Sequence, residues 1–347
     1  MKMNSLGRSG IMVSRICLGT MTYGEQNTAK EAHRQLDMAV DHGVNFLDTA
    51  EMYSFPGRAE TQGKSEEIIG DWMAARGNRD KIVVATKITG PSAGMKYIRA
   101  GKQRFNRGQV AEAVDASLKR LKTDVIDLYQ THWPERNANY FGKLDYPHTD
   151  DDDDFTPMEE QLDALSGQVK AGKVRAIGVS NETPWGLMKF LEISERTGVA
   201  RIAAIQNPYN LICRQFEVGL SEVAIREDAG LLAYSPLAFG ALTGKYLGGQ
   251  LPDASRHKLF SQFMRYFKAG GVRATEAYVQ LARDHALEPS QMALAFINSR
   301  RFLTANIIGA TTEEQLKSNL DTEDIALSDE VMAGIEAIHS ENSNPAP

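Results

Sequence analysis

The chain has only two cysteines, Cys17 and Cys213, far apart and with no metal-ligand spacing around them. Neither a disulfide framework nor a cysteine-based metal site is expected, and a reducing compartment is the default. No apolar run approaches the roughly 18 residues that a membrane-spanning helix requires. In the opening stretch MKMNSLGRSGIMVSRICLGTM, Arg8 and Arg15 interrupt the apolar residues, so no signal core is formed and a cytoplasmic protein is expected. Lysine and arginine are scattered, and the formal net charge is −6. That distribution excludes a nucleic-acid footprint or a basic membrane-binding face. Two motifs are also missing. No G-x-G-x-x-G follows a strand, and GRAETQGKS (57–65) fails as a Walker A loop, because it has one residue too many between its glycines and follows a loop.

What is present is globular composition, with 42% hydrophobic residues in 347, enough for a large core and for one barrel domain spanning 1–347. Short β-branched runs alternate with amphipathic segments. The strand candidates are 14–19, 44–48, 81–87, 125–132, 174–180, 201–207, 230–236 and 306–311. Most are too apolar to alternate, as expected of parallel strands covered on both faces. In SEEIIGDWMAARG, Ile68, Ile69, Trp72 and Met73 share a helical face and Gly77 suits the C′ position. Val110, Val114, Leu118 and Leu121 form a second stripe. Eight strands in β/α alternation predict a (β/α)8 barrel, with the segment before the first strand forming a hairpin that caps the barrel bottom. Residues 133–156 and 239–271 are too long for simple connections and fall on the strand-to-helix side, where a barrel builds its active site. Within the first, the run Asp150–Asp154 reads as a solvated loop in preference to a cation site.

The strand ends carry the chemistry. In order they are Asp48, Lys87, His132, Ser180–Asn181, Gln206, Tyr234–Ser235 and Gly309–Thr311, with Tyr53 one loop beyond Asp48. A phenol near pKa ~10 is a poor acid, and a neighbouring ammonium is expected to lower that value. A buried ammonium needs a counter-ion, which Asp48 can supply. A neutral imidazole could then donate to the carbonyl oxygen that Tyr53 protonates. Each residue alone has a structural role open to it: Asp48 as a turn cap, Lys87 as a rim lysine, His132 as an edge histidine. Four suited types on three consecutive strand ends favour hydride addition to a carbonyl. In NIIGATTEEQLKSNL, Thr312 and Gln315 have capping-box spacing, and the helix N-terminus suits a phosphate.

The ordered motifs DTAEMY, KITG, THWP, GVSNETPW, IQNPYN, YSPLAFGALTGKY and GATTEEQLKSN resemble those of the aldo/keto reductases across nearly the whole chain. The resemblance is nearest to bacterial Tas-type members, which are related to the potassium-channel β-subunit branch. It implies a (β/α)8 barrel binding NADPH across its mouth, a small-molecule carbonyl substrate, and a catalytic tetrad of Asp48, Tyr53, Lys87 and His132 with Tyr53 as general acid. It implies further that Thr20 approaches the nicotinamide, that Ser180, Asn181 and Gln206 hold its carboxamide and that Tyr234 stacks on its ring. Ser235, Leu237, Gly240 and Lys245 would grip the pyrophosphate. Arg256, Gly309, Thr311, Gln315 and Asn319 would take the adenosine-phosphate end. Lys245 and Arg256 supply cations suited to a 2′-phosphate, favouring NADPH over NADH.

Departures from the pattern are SFPGRAETQ inserted after Tyr53, the 133–156 insertion, and Ser318 where many relatives carry an acidic residue. Tyr23, Phe55, Trp133 and Tyr140 are the aromatics expected to line a substrate pocket. A cofactor-sensing or regulatory protein with slow turnover is the alternative reading, against which His132 argues, since the channel-associated branch commonly carries Asn there. A metal-dependent barrel hydrolase fits poorly, because the seven histidines include no H-x-H pair. The outer helical faces leave a homo-oligomer open.

Overall fold

The computed structural model describes residues 1–147, 154–253, 255–261 and 264–347. Strands β1 (Met3–Ser5) and β2 (Met12–Ser14) form an antiparallel hairpin. Eight parallel strands follow: β3 (Ile16–Gly19), β4 (Phe46–Asp48), β5 (Val83–Ile88), β6 (Ile126–Thr131), β7 (Val174–Ser180), β8 (Ile202–Pro208), β9 (Gly230–Tyr234) and β10 (Leu303–Ile308). They close into a barrel in chain order, with β10 pairing back onto β3. Helices alternate with the strands, as the (β/α)8 expectation required: α1 (Ala29–Asp41), α2 (Lys64–Arg76), α3 (Arg107–Leu121), α4 (Met158–Lys170), α5 (Pro184–Thr197) and α6 (Leu220–Arg226). The last stretch holds α7 (Arg256–Leu259), α8 (Ala269–Asp284), α9 (Pro289–Asn298), α10 (Glu313–Leu320) and α11 (Asp329–Glu341). Among the described residues no helix is long and apolar enough to cross a membrane.

Two expected boundaries shift. Ser14 belongs to the hairpin, not to the first barrel strand. The last barrel strand lies three residues earlier than 306–311, because Leu303–Ala305 already pair with β9, while Gly309 and Thr311 lie beyond the strand. The charged Arg300–Arg301 pair hid its start from a reading based on apolar runs.

The strands' two-residue side-chain period splits the core in two. Leu47, Val84, Ile88, Tyr129 and Ile177 face outward and pack against the helices, with Ile69, Trp72, Val110, Val114 and Leu121 among their partners. Trp72, almost fully buried, also donates its indole N–H to Asp37. Cys17, Phe46, Val83, Ala85, Leu128, Ala176, Ala204, Leu232, Ala305 and Ile307 face inward and plug the barrel together with hairpin residues Leu6, Ile11 and Val13. The hairpin thus seals the N-terminal end, and Asn4 ties it to β10 through the Thr304 carbonyl. Asp127, at the same end, holds Arg79 and Arg175. With the bottom filled, the inward positions at the opposite strand ends are left to carry polar side chains.

Candidate active site

The inward parity selects the site. Two residues beyond Phe46 is Asp48, two beyond Ala85 is Lys87, and two and four beyond Leu128 are Gln130 and His132. Two beyond Ala204 is Gln206, and two beyond Leu232 is Tyr234. Neighbouring strands then set these side by side, with Asp48 opposite Ala85, Lys87 opposite Gln130 and Ser180 opposite Gln206.

Lys87 is fully buried, and its ammonium donates to Asp48 Oδ2 and to the Thr49 carbonyl, each at 2.7 Å. Asp48 Oδ1 accepts from Gln206 Nε2 at 2.8 Å. Beneath Asp48 a hydroxyl network links Thr20, Thr49 and Ser65, with Thr20 donating to the Asp48 carbonyl. The Lys87 ammonium lies 5.1 Å from the Tyr53 ring centroid. Tyr53 meets His132 edge to face at 5.6 Å, and His132 in turn packs on Trp133 at 5.0 Å. The four tetrad side chains therefore form one contiguous group at the mouth.

Burial opposes the Lys87 ammonium, but Asp48 and Tyr53 beside it outweigh that and hold its pKa above the ordinary lysine value. For Tyr53 the balance runs against expectation. Burial raises the phenol's pKa by more than Lys87 lowers it, so the net shift is upward. Burial, reinforced by Lys87, pushes His132 well below the ordinary histidine range. Tyr53 is thus a protonated donor, and His132 a neutral one, throughout the physiological range. His132 Nδ1 makes no hydrogen bond, although the residue's backbone is pinned by Ile88 and Asn181.

The depressed His132 pKa has a thermodynamic consequence. Between the folded value and about 6.5, the unfolded chain binds the proton that the folded chain refuses. Stability contributed this way is complete above about pH 6.5 and falls as pH drops below it. His132→Gln should therefore lose less stability than wild type on going from about pH 7.5 to 5.5, measured by urea unfolding. An unchanged pH slope would remove His132 as its source.

The residues expected around a nicotinamide carboxamide are together but already engaged with one another. Ser180 donates to the Gln206 carbonyl at 2.7 Å. Asn181, held in the left-handed region at φ 53°, donates to the His132 carbonyl and accepts from the Tyr234 hydroxyl at 2.6 Å. Ser235, Ala238, Phe239 and Gly240 all have positive φ, and the Ala238 amide donates to the Ser235 carbonyl within this tight loop. Leu237 accepts from the Gly240 amide within this loop, and Lys245 folds against Gly240 and over the Tyr246 ring. Gly309, Thr311, Gln315 and Asn319 also gather. Gln315 accepts from the Thr311 amide and hydroxyl, and Asn319 donates to the Gly309 carbonyl. The capping box is only half formed: Thr312 caps the Gln315 amide, but the Gln315 side chain returns to Thr311.

Three further expected positions take partners within the protein. Thr20 is wholly buried, with its hydroxyl committed to Asp48 and Ser65, and does not present it to the mouth. Tyr23 is also fully buried, inside the core between barrel and helices, and cannot line a substrate pocket. The Arg256 guanidinium lies over the rings of Phe55, at 5.2 Å, and Phe239, at 4.3 Å. Phe55, Trp133 and Tyr140 do share one cluster with Tyr53, joined by Met52, Met95, Tyr97 and Ile98. The acidic run 150–154 lies outside the described residues except for Asp154, which pairs with Arg104. Among the described residues no group of histidine, cysteine and carboxylate side chains could hold a metal.

Other residues escaped the sequence reading. Gln130, buried two residues before His132, leaves its Nε2 without a partner beside Gln206; its parity with His132 was the available signal. The buried pair Arg136–Glu182, bidentate at 3.0 and 2.5 Å, binds the loop after His132 to the end of β7 next to Asn181. A Cβ at Gly186 would overlap Glu182 Oε1 and Arg136 Nη2. Gly186→Ala should accordingly cost about 1–3 kcal/mol, read as a lowered denaturant midpoint; an unchanged midpoint would show that the pair shifts freely.

A family model described as "Aldo/keto reductase family" matches residues 15–340. The chain is 48% identical over 347 residues to "Protein tas" of Escherichia coli (strain K12), with all of both chains covered. It is 33% identical over 335 residues to "Uncharacterized oxidoreductase YrpG" of Bacillus subtilis (strain 168), covering 96% of this chain and 94% of that one. It is also 29% identical over 333 residues to a "Probable voltage-gated potassium channel subunit beta" of Arabidopsis thaliana, covering 94% and 92%.

Proposed function

The chain belongs to the aldo/keto reductase family, and from that premise we propose that it is an NADPH-dependent reductase of aldehydes and ketones, with Tyr53 delivering the proton to the carbonyl oxygen. The observation that carries this reading is the buried Asp48–Lys87 pair beneath the Tyr53–His132 edge contact.

Bound NADPH would supply the hydride, which no side chain here can provide. The residues fit such a group. Lys245, folded against Gly240, is a cation with no carboxylate partner among the described residues, and Thr311 and Gln315 are polar neighbours at the start of α10, with Asn319 near its end. Lys245 and Arg256 together supply cations suited to the extra phosphate, favouring NADPH over NADH.

Tyr53 remains protonated until a carbonyl oxygen gathers negative charge beside it. As the proton leaves, the phenolate is stabilised by the Lys87 ammonium, whose charge Asp48 holds in place at 2.7 Å. His132, kept neutral by burial and Lys87, is suited to donate a second hydrogen bond to the same oxygen without delivering its proton. Asn181 fixes that histidine through its backbone carbonyl and is in turn fixed by Tyr234. Phe55, Trp133, Tyr140, Met95 and Tyr97 supply apolar surface beside Tyr53, suited to exclude water and hold the body of the substrate. The similarity to a channel β subunit favours a second reading, cofactor sensing with slow turnover, which His132 opposes by completing the donor pair. NADPH oxidation against a panel of aromatic and aliphatic aldehydes separates the two. Rapid, aldehyde-dependent oxidation supports the reductase, whereas tight NADPH binding without turnover supports the sensor.

A further inference from the structure

The loop that leaves His132 is held from two sides by consecutive residues. Glu135, its side chain fully enclosed, accepts from Arg104, from the Phe105 amide, and from the amide and hydroxyl of Thr156. Those contacts tie the loop to the segments that precede α3 and α4. Arg136 instead reaches Glu182, just past the end of β7, with two parallel hydrogen bonds at 3.0 and 2.5 Å between almost fully buried side chains. The surroundings of Glu182 fix its position closely. Asn207 on β8 holds its backbone twice, accepting from the amide at 3.1 Å and donating to the carbonyl at 2.9 Å. Glu182 Oε1 also accepts from the amide of Thr183, the residue that caps α5. The Arg136 guanidinium lies over the Trp185 ring, 4.9 Å from its centroid, and Gly186 passes where a Cβ would meet both charged groups.

A buried ion pair adds little net stability over a well-packed apolar pair. What a bidentate fork adds is fixed geometry, and the geometry fixed here is that of Asn181. This residue directly precedes Glu182, holds a left-handed backbone at φ 53°, and donates to the His132 carbonyl at 2.8 Å. His132 and Arg136 belong to one segment, Asn181 and Glu182 to another. The fork and the Asn181 bond therefore join the same two segments at both ends. Among the described residues His132 Nδ1 has no hydrogen bond, so the aim of the ring depends on its backbone and on its contacts with Tyr53 and Trp133. We propose that Arg136 and Glu182 are positioning residues for carbonyl reduction: their fork holds Asn181 against the His132 carbonyl and keeps the imidazole aimed at the oxygen that Tyr53 protonates. This rests on the reading of Tyr53 and His132 as the donor pair.

The test uses the full chain carrying Arg136→Met and Glu182→Met together, which leaves neither charge buried alone. With NADPH saturating and the aldehyde that wild type reduces best, kcat should fall about tenfold to a hundredfold, the scale of a small misplacement at a reacting centre, with little change in KM. Arg136→Lys keeps the charge but not the fork and should show the same loss to a smaller degree. Asp127→Asn is the control. It weakens buried pairs with Arg79 and Arg175 at the far end of the barrel, and should lower the denaturant midpoint with kcat unchanged. A second readout needs no turnover. The NMR signal of the His132 ring, identified by its loss in His132→Gln, senses the rings of Tyr53 and Trp133 at 5.6 and 5.0 Å. It should move in the double variant and in Arg136→Lys, and stay in place in Asp127→Asn. An unmoved His132 signal, or wild-type kcat, in the double variant would overturn the proposal. So would an equal loss in Asp127→Asn, since the effect would then be one of stability alone. If wild type reduces no aldehyde but the His132 signal moves only in the fork variants, the reductase reading falls and the positioning of His132 stands.

Discussion

Tyr53→Phe should bind NADPH with wild-type affinity and reduce aldehydes about a thousandfold more slowly, within the range that loss of a positioned general acid produces. The substitution removes one oxygen and keeps the ring. Packing against Met52, Ile98 and Trp133 and the edge contact with His132 should survive, so a change in fold would not account for the loss. His132 cannot substitute as an acid: its pKa lies well below the ordinary range, leaving it neutral and able only to polarise. The residual rate should therefore lack a titration step attributable to either group. KM should change little, since proton delivery is needed in the transition state and contributes little to ground-state binding. A variant with near-normal kcat would take the acid role away from Tyr53.

Lys87→Met should be damaged in two ways that can be separated. Lys87 is fully buried, and its charge is matched to Asp48 and to the Thr49 carbonyl. Removing it leaves the Asp48 carboxylate enclosed with Gln206 as its remaining side-chain partner, and breaking a buried pair from one side typically costs about 3–5 kcal/mol. Turnover should fall by about a hundredfold or more, because the phenolate left at Tyr53 loses its adjacent cation. Adding Asp48→Asn should restore much of the stability, since no charge is then buried alone, and none of the turnover. Equilibrium urea unfolding and steady-state kinetics on the single and double variants read the two effects apart. Recovery of both together would mean that Lys87 acts only through the fold, and recovery of neither would mean that the carboxylate was never the source of the instability.

The barrel was legible because parallel strands buried on both faces read as apolar runs, and eight such runs in alternation with amphipathic helices admit few closures. Strand ends were legible for the same reason: Asp48, Lys87 and His132 each end an apolar run with a polar residue, and the inward parity set by Phe46, Ala85 and Leu128 explains why they converge. Less local features were not legible. The upward shift of the Tyr53 pKa depends on how completely the mouth is enclosed, which no motif records. Tyr23 and Thr20 are near the site in sequence, yet both turn into the protein, one into the core and one into hydroxyl contacts with Ser65 of a different element. The contacts of Arg256 were not legible either, because Met21, Phe55 and Phe239 come from three separate segments. The Arg136–Glu182 pair joins residues far apart in sequence through one loop-to-strand contact, with no periodic pattern to mark it.

The claim that this site reduces a carbonyl is tested most directly by incubating the purified protein with an aldehyde and NADPH deuterated at nicotinamide C4, then locating the label by mass spectrometry and NMR. The account predicts an alcohol carrying one deuterium on the former carbonyl carbon, formed in step with NADPH oxidation. Tight NADPH binding with no labelled alcohol from any aldehyde in a broad panel would contradict it.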